Sequence, residues 1–463
     1  MPLALSWLLS LGAFVGIAHA QDSADASLRA AYDAWQVEQT HFSDAALAAR
    51  RAGLVAKGAE LPMDVQALQR VADAARDTLL AEYGERDDLS AESDLLIARL
   101  HESRRVYLDA AKCYERSLSK GPPERPELDT LGALCLAAMN GKDDVLAARW
   151  MQALIAEEDQ RGGATQRNLS VRTSWYPRTL IALGRWDELG RLIETLESDE
   201  TATCRAAAAS FGVVHAIHVE DLDRVRARLS TIERDAARFP DLQSWAAIAR
   251  LALDVHDGRF EEGATAVRAF LARAADESRE PSAVERNQRR YLVAIEPFLG
   301  KPAPELLADH VVGGELARDG GILAGLRGKV VVLDFWQPWC EPCRKAMPEL
   351  VALQSEHRDA LQVLGLCKVE NYGYDVSERK AVRPIAPSDY VAHVADFRED
   401  MGLAHPLLVA STAANSEAYH VTGIPTLVVI DRRGVVRYMS CGAGEPGLFR
   451  LAVSGVLFRD LSR

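Results

Sequence analysis

The stretch "FWQPWCEPCRKAMPEL", residues 335–350, sets Cys340 and Cys343 two residues apart among tryptophans and prolines. Three chemistries use a C-x-x-C: a metal site, a static disulfide and a reversible dithiol. A zinc site needs four ligands, usually from a second C-x-x-C or a histidine pair nearby. None follows, and Cys367 and Cys441 stand alone. The spacing fits a helix start instead. There the free N–H groups and the helix dipole favour a thiolate at Cys340. Cys343, one turn on, is placed to attack a mixed disulfide formed at the first sulfur. The redox reading stands ahead of the metal and staple readings.

The flanking sequence alternates apolar strands with helices. The run from Val330 to Leu333 is β-branched and continuous, as in a strand buried on both faces. Further runs cover 360–369, 425–434 and 435–442, and "DRRG" at 431–434 marks a hairpin. The helical patterns "PCRKAMPELVALQSEH" and "PSDYVAHVADFREDMG" lie between the first three runs. Strand and helix alternation followed by a hairpin predicts an α/β sheet with an antiparallel edge.

Residues 299–463 resemble a thioredoxin-fold thiol–disulfide oxidoreductase of the TlpA/ResA-like group. The resemblance is carried by "LGKPAPELL" (299–307), "LRGKVVVLDFWQPWCEPCRKAMPEL" (326–350) and "AYHVTGIPTLVVIDRRGVV" (418–436). It implies Cys340 as the attacking thiolate, Cys343 as the resolving thiol, and a redox disulfide between them. It implies a helix kink at Pro348 and a cis bond before Pro425. Trp339, Ile424, Pro425 and Thr426 are then the substrate-facing residues, with Ile424 offering its backbone to a docked strand. Asp334 stands where asparagine is common in the group. Thioredoxin itself has a buried acid at that distance from its first cysteine. Buried, such a carboxyl has a raised pKa and takes the Cys343 proton; the plainer alternative is a backbone bond at a strand end.

Pro342 before the second cysteine and the negative Glu341 beside the first lean toward a reductant. That end of the scale lies near about −270 mV, against about −120 mV for strong oxidants. A peroxidase reading is weak, since the sequence at Cys340 lacks a Thr-x-x-Cys. In this fold the strands ending at Cys367 and Cys441 stand three spacings of ~4.8 Å apart, beyond the ~7 Å reach of a disulfide. The insertion "NYGYDVSERKAVRPIAPSD", 371–389, either lines the substrate groove or is a solvated loop.

What precedes is different. From about Leu28 to Ala274, apolar residues recur at three- and four-residue intervals, as in amphipathic helices. Related segments start at Arg105, Gly141, Gly184, Glu220 and Gly258. A period in the mid-thirties resembles degenerate tetratricopeptide repeats, a solenoid that either binds a partner or serves as spacer or dimer surface. His215 and His218 share a helix face but lack further ligands. Cys113 and Cys135 either face each other or are small buried hydrophobes.

Residues 1–20 are apolar and uncharged and end in Ala18-His19-Ala20, the pattern of a cleaved signal, with an uncleaved anchor as the alternative. The mature chain is expected to be soluble, exported and periplasmic. The formal charge of −13 argues against nucleic acid.

The expectation is thus a multidomain chain. A signal occupies 1–20, a TPR-like α-helical solenoid 28–274, a linker 275–298 and an α/β thioredoxin fold 299–463. It reduces disulfide-containing client proteins without a cofactor and is recharged by a membrane thiol reductant, with the repeats recruiting the client. The alternative is a repeat-based scaffold with a redox-sensing domain.

Overall fold

A computed structural model of the chain describes residues 4–51, 61–120, 128–162, 169–235, 239, 242–275, 280–316, 320–378, 380–441 and 446–459. At 4–20, 283, 284, 287 and 446 only the backbone is described. Two compact units divide at Leu192/Ile193.

The helices up to residue 295 are α1 (Ala4–Arg51), α2 (Met63–Tyr83), α3 (Ala91–Ser103), α4 (Tyr107–Lys120), α5 (Leu128–Asn140), α6 (Asp144–Gln160), α7 (Tyr176–Ala182), α8 (Trp186–Ser198), α9 (Ala202–His218), α10 (Leu222–Arg234), α11 (Gln243–His256), α12 (Phe260–Ala275) and α13 (Ala283–Ile295). Five of the helix pairs, from α3/α4 to α11/α12, share one turn. A residue in the left-handed region stands two positions before the second helix: Arg105, Lys142, Gly184, Glu220 and Gly258, with φ between 58° and 79°. The next N–H then reaches back five residues, as from Val106 to the His101 carbonyl and from Arg259 to the Asp254 carbonyl. This is a Schellman closure. It recurs where the related sequence segments start, because each helix must end and reverse within three residues. Only two of the five positions are glycine. Arg105, Lys142 and Glu220 accept a conformation that costs non-glycine residues roughly 1 kcal/mol.

In the first unit, Leu28, Tyr32 and Trp35 of α1 join a core with residues of α2 to α5. Asp94 of α3 is fully buried and binds Arg116 and Lys120 of α4 at 2.9 and 2.7 Å. Two cations offset the cost of burying that carboxylate.

The second unit holds α9 to α13 and a six-stranded sheet. Its strands are β1 (His310–Val312), β2 (Val330–Phe335), β3 (Leu361–Lys368), β6 (Leu407–Ala410), β7 (Thr426–Ile430) and β8 (Val436–Cys441), in the order β1-β6-β3-β2-β7-β8. Strand β2 is buried along its whole length, parallel to β3 and antiparallel to β7. Helices α14 (Glu341–Glu356), α15 (Tyr390–Asp400), α16 (Ala414–Ala418) and α17 (Pro446–Phe458) follow in chain order. Strands β4 (Gly373–Asp375) and β5 (Lys380–Val382) form a separate antiparallel ribbon within the insertion. The chain is multidomain, with a helical N-terminal part and a thioredoxin-like fold after it. The four strands read from the sequence form; β1 and β6 were not foreseen, being too short for a pattern.

Within the segment expected as a linker, 275–298, the described part from residue 280 on includes packed helix. Its helix α13 buries Leu292 and Ile295 completely and packs against α11, α12 and β8. Its charge-rich sequence hid this, because the fully buried Glu285 is paired with Arg289 in place of an apolar residue. Helix α17 in turn packs on α11 and α9. At Gly455 the helices touch so closely that a Cβ would stand 2.4 Å from the Val255 carbonyl oxygen. Gly455→Ala should therefore lower stability by about 1–3 kcal/mol, despite the better helix propensity of alanine. Urea unfolding of the full chain checks this.

Candidate active site

Strand β2 runs straight into the site. Its buried run ends at Phe335, and the chain then crosses Trp336, Gln337, Pro338 and Trp339 before α14 begins. Cys340 is the N-cap of that helix, and its Sγ accepts the N–H of Cys343 at 3.2 Å. The two cysteines form a disulfide, with Cα atoms 5.3 Å apart. Cys340 is 3 % exposed and Cys343 fully buried. The N–H that caps the disulfide sulfur is equally placed to stabilise a thiolate there. Pro348 lies inside α14, as expected.

The loop before the helix is tied down by Gln337. Its carbonyl accepts from the Cys340 N–H at 3.0 Å. Its side-chain amide donates to the Lys368 carbonyl of β3 at 3.2 Å, and its Oε1 accepts the Tyr390 hydroxyl of α15 at 2.6 Å. Both side chains are buried. Sequence reading missed this pair. Tyr390 stands 53 residues from Gln337, and no local pattern joins them.

Asp334 is 1 % exposed, and neither carboxylate oxygen has a hydrogen-bond partner among the described residues. The backbone bond of the plainer alternative is thus not made to any described residue. Burial alone pushes its pKa up to about 8. Asp334 shares a strand face with Trp336, and its register partner is Gly365, two residues before Cys367. Trp336 and Cys367 belong to the apolar cluster around the disulfide, together with Met347, Tyr390 and Ile424. Burial raises the Cys367 pKa strongly, and the charge of Asp334 raises it further, so Cys367 is a protonated thiol. Cys367 and Cys441 are both free, on β3 and β8 with β2 and β7 between them. Cys113, Cys135 and Cys204 are buried.

The cis bond expected before Pro425 is present at Ile424-Pro425; a second joins Arg383 and Pro384. Ile424 is half-buried against the disulfide cluster and makes no backbone hydrogen bond to other described residues. Thr426 was expected to face substrate, but its side chain is 1 % exposed. It donates to the Gly423 carbonyl at 2.7 Å, bracing the loop from inside. Trp339 is half-buried and packs on Tyr372 of the insertion, ring centres 5.3 Å apart.

Asp334 folds with a pKa far above that of an unfolded aspartate, so the folded state holds a proton the unfolded chain has released. Its contribution is fully favourable below about pH 4 and is lost as pH rises toward 8. Asp334→Asn should then flatten the fall in stability over that window. It should stabilise the chain at pH 9 by on the order of 3 kcal/mol. Denaturant titrations of both proteins at pH 5, 7 and 9 check the sign.

The family model described as AhpC/TSA matches residues 299–439. The "Thioredoxin-like protein YneN" of Bacillus subtilis is 30 % identical over 143 residues, 31 % of this chain and 71 % of that protein. The "Thiol-disulfide oxidoreductase ResA" of Geobacillus kaustophilus is 28 % identical over 144 residues, covering 31 % of this chain and 70 % of that one. Among solved structures, a putative thiol:disulfide interchange protein DsbE from Chlorobium tepidum covers 34 % of this chain and 97 % of its own, at 23 % identity and a TM-score of 0.25.

Proposed function

Because the chain belongs, through its C-terminal third, to the thioredoxin-like thiol–disulfide oxidoreductases related to YneN and ResA, we propose that it is an exported reductase of disulfides in client proteins. The observation that carries this reading is the Cys340–Cys343 pair at the N-terminus of α14, preceded in β2 by the buried Asp334 carboxyl, which has no hydrogen-bond partner among the described residues.

In the reduced protein the Cys340 thiolate attacks one sulfur of the client disulfide. A mixed disulfide forms, and the first client sulfur leaves as a thiolate that takes a proton from water. Asp334, ionised, accepts the Cys343 proton, and the Cys343 sulfur attacks Cys340. The second client thiol is released, and the bond seen here between Cys340 and Cys343 closes. Two electrons have passed to the client. A dithiol reductant, membrane-bound in this reading, must return them. Trp339 and Ile424 pack against the cluster that holds both cysteines and, with the cis-bonded Pro425, receive the client chain, Ile424 through its backbone groups, unbonded among the described residues.

Pro342 and Glu341 support the reducing direction. Glu341 sits at the first position of α14, 3.6 Å from Lys345, so its charge beside Cys340 is only partly offset. The apolar, uncharged residues 1–20 support export, and among the described residues no helix is long and apolar enough to cross a membrane. The helical hairpins with their shared turn support a repeat array that recruits the client.

The reduction potential of the pair, from thiol trapping in dithiothreitol and glutathione buffers, should lie below roughly −220 mV. A value near about −120 mV defeats the reductase reading and makes the protein an oxidant. In the same assays Cys340→Ser should lose all turnover, whereas Cys343→Ser should accumulate mixed disulfides. Asp334→Asn should slow the resolving step at least tenfold near neutral pH and remove its inflection near pH 8.

A further inference from the structure

The insertion after β3 is built against the dithiol. Tyr372 packs on Trp339, the residue before Cys340, and the Arg383 guanidinium lies 4.9 Å over the Tyr372 ring. Tyr374 carries the Arg344 guanidinium 3.7 Å over its ring; Arg344 follows Cys343 and also donates to the Pro338 carbonyl at 2.6 Å. The ribbon β4/β5 that holds these tyrosines is itself fixed. The Tyr374 N–H donates to His393 Nε2 of α15 at 3.2 Å, and the Ile385 N–H to the Asn371 carbonyl at 2.8 Å. A Cβ at Gly373 would stand 2.1 Å from His393, so the ribbon presses directly on α15. This segment is a wall of the site and not a solvated loop.

The charges of that wall do not cancel. Four acids along it are already engaged. Glu341 pairs with Lys345, Glu370 with Lys368 at 3.3 Å, and Glu378 with Lys380, while Asp375 accepts from Ser377 and the Glu378 N–H. Arg344 and Arg383 are the exceptions. Neither has a carboxylate within 4.0 Å among the described residues, and both are pre-oriented on aromatic faces beside the reacting sulfur. A chain with a formal charge of −13 thus keeps, among the described residues, two guanidiniums without a carboxylate partner near its dithiol.

We propose that this wall selects the client: Arg344 and Arg383 bind acidic side chains flanking the client's disulfide cysteine, while Tyr372 and Trp339 give the peptide an apolar bed. The inference rests on the reductase reading and names the substrate class of that same site. Guanidinium forks bind carboxylates with two parallel hydrogen bonds. Here the stacking has already restricted the arginine rotamers, so less freedom is lost on binding. Charges at the rim of an interface act mainly on selectivity and on encounter rate.

The test uses the full-length reduced protein and peptides closed by one disulfide, with Glu, Gln or Lys on both sides of the cysteines. At low salt the Glu peptide should be reduced about fivefold faster than the Gln peptide, and the Lys peptide slowest. Raising the salt to 0.5 M should compress the order, since exposed pairs are screened. Arg383→Gln should bring the Glu to Gln ratio near one, and Arg383→Lys should restore part of it. Arg383 is exposed, so neither variant empties a core position. Equal rates for the three peptides in the wild type, or an unchanged ratio in Arg383→Gln, overturn the proposal while leaving the reductase reading intact. Failure of the wild type to reduce any of the peptides, with the potential found near about −120 mV, overturns both readings.

Discussion

The contact on which the site depends is a single one, the Cys343 N–H pointing at the Cys340 sulfur across the first turn of α14. It exists because a helix must start with unpaired donors, and here the capping atom is sulfur where proteins usually offer oxygen. Everything else fixes where that turn stands. Strand β2, buried on both faces and hydrogen-bonded to β3 and β7, delivers the chain to one point. Gln337 then clamps the crossing segment to β3 and α15, so the helix start cannot drift relative to the sheet. A redox pair needs such fixity. Attack of one sulfur on its neighbour is fast only if the geometry is already held.

Beneath that turn the structure keeps an arrangement that stability alone would remove. Asp334 is buried and, among the described residues, has no hydrogen-bond partner for either oxygen, on a strand that is otherwise Val, Leu and Phe. An apolar or amide side chain would cost less at neutral pH. The neighbouring polar groups solve the same problem differently: Gln337 and Tyr390 satisfy each other, and Cys367 stays a neutral thiol. An isolated acid beside a satisfied network suits the proposed proton acceptor, since a carboxyl already bonded is a poorer one.

These features differ in how far they were open to reading from the chain. The C-x-x-C at a helix start, the buried β2 run, the burial of Asp334 and the cis bond at Pro425 are local features, each fixed by neighbours within a few residues, and so each was legible in the sequence. The inward turn of Thr426 was not, because the face of a loop residue depends on the strand that follows it. Gln337 with Tyr390, and Trp339 with Tyr372, are contacts across more than thirty residues, and no periodicity encodes them. The packed helix α13 was hidden for another reason. Its composition is that of a linker, and only the pairing of buried Glu285 with Arg289 makes it compatible with a core.

That packed helix changes how the helical part can serve the dithiol. A linker over 275–298 would let a client held by the helices sample the active site by diffusion, at an effective concentration set by tether length. Instead α9, α11 and α13 share one compact unit with the sheet, α17 lies on α11 at the close approach of Gly455, and Arg437 of β8 stacks on Phe260 of α12 at 4.6 Å. Under the proposed reading, a client bound on α9 to α12 would be held at a fixed distance and bearing from Cys340, because these helices and the sheet share one compact unit. Only a client whose disulfide lies at the matching span from the bound segment would then reach the sulfur, however tightly it binds. That proposal gives selectivity two sources, the geometry of the helical face and the charge of the wall around Trp339.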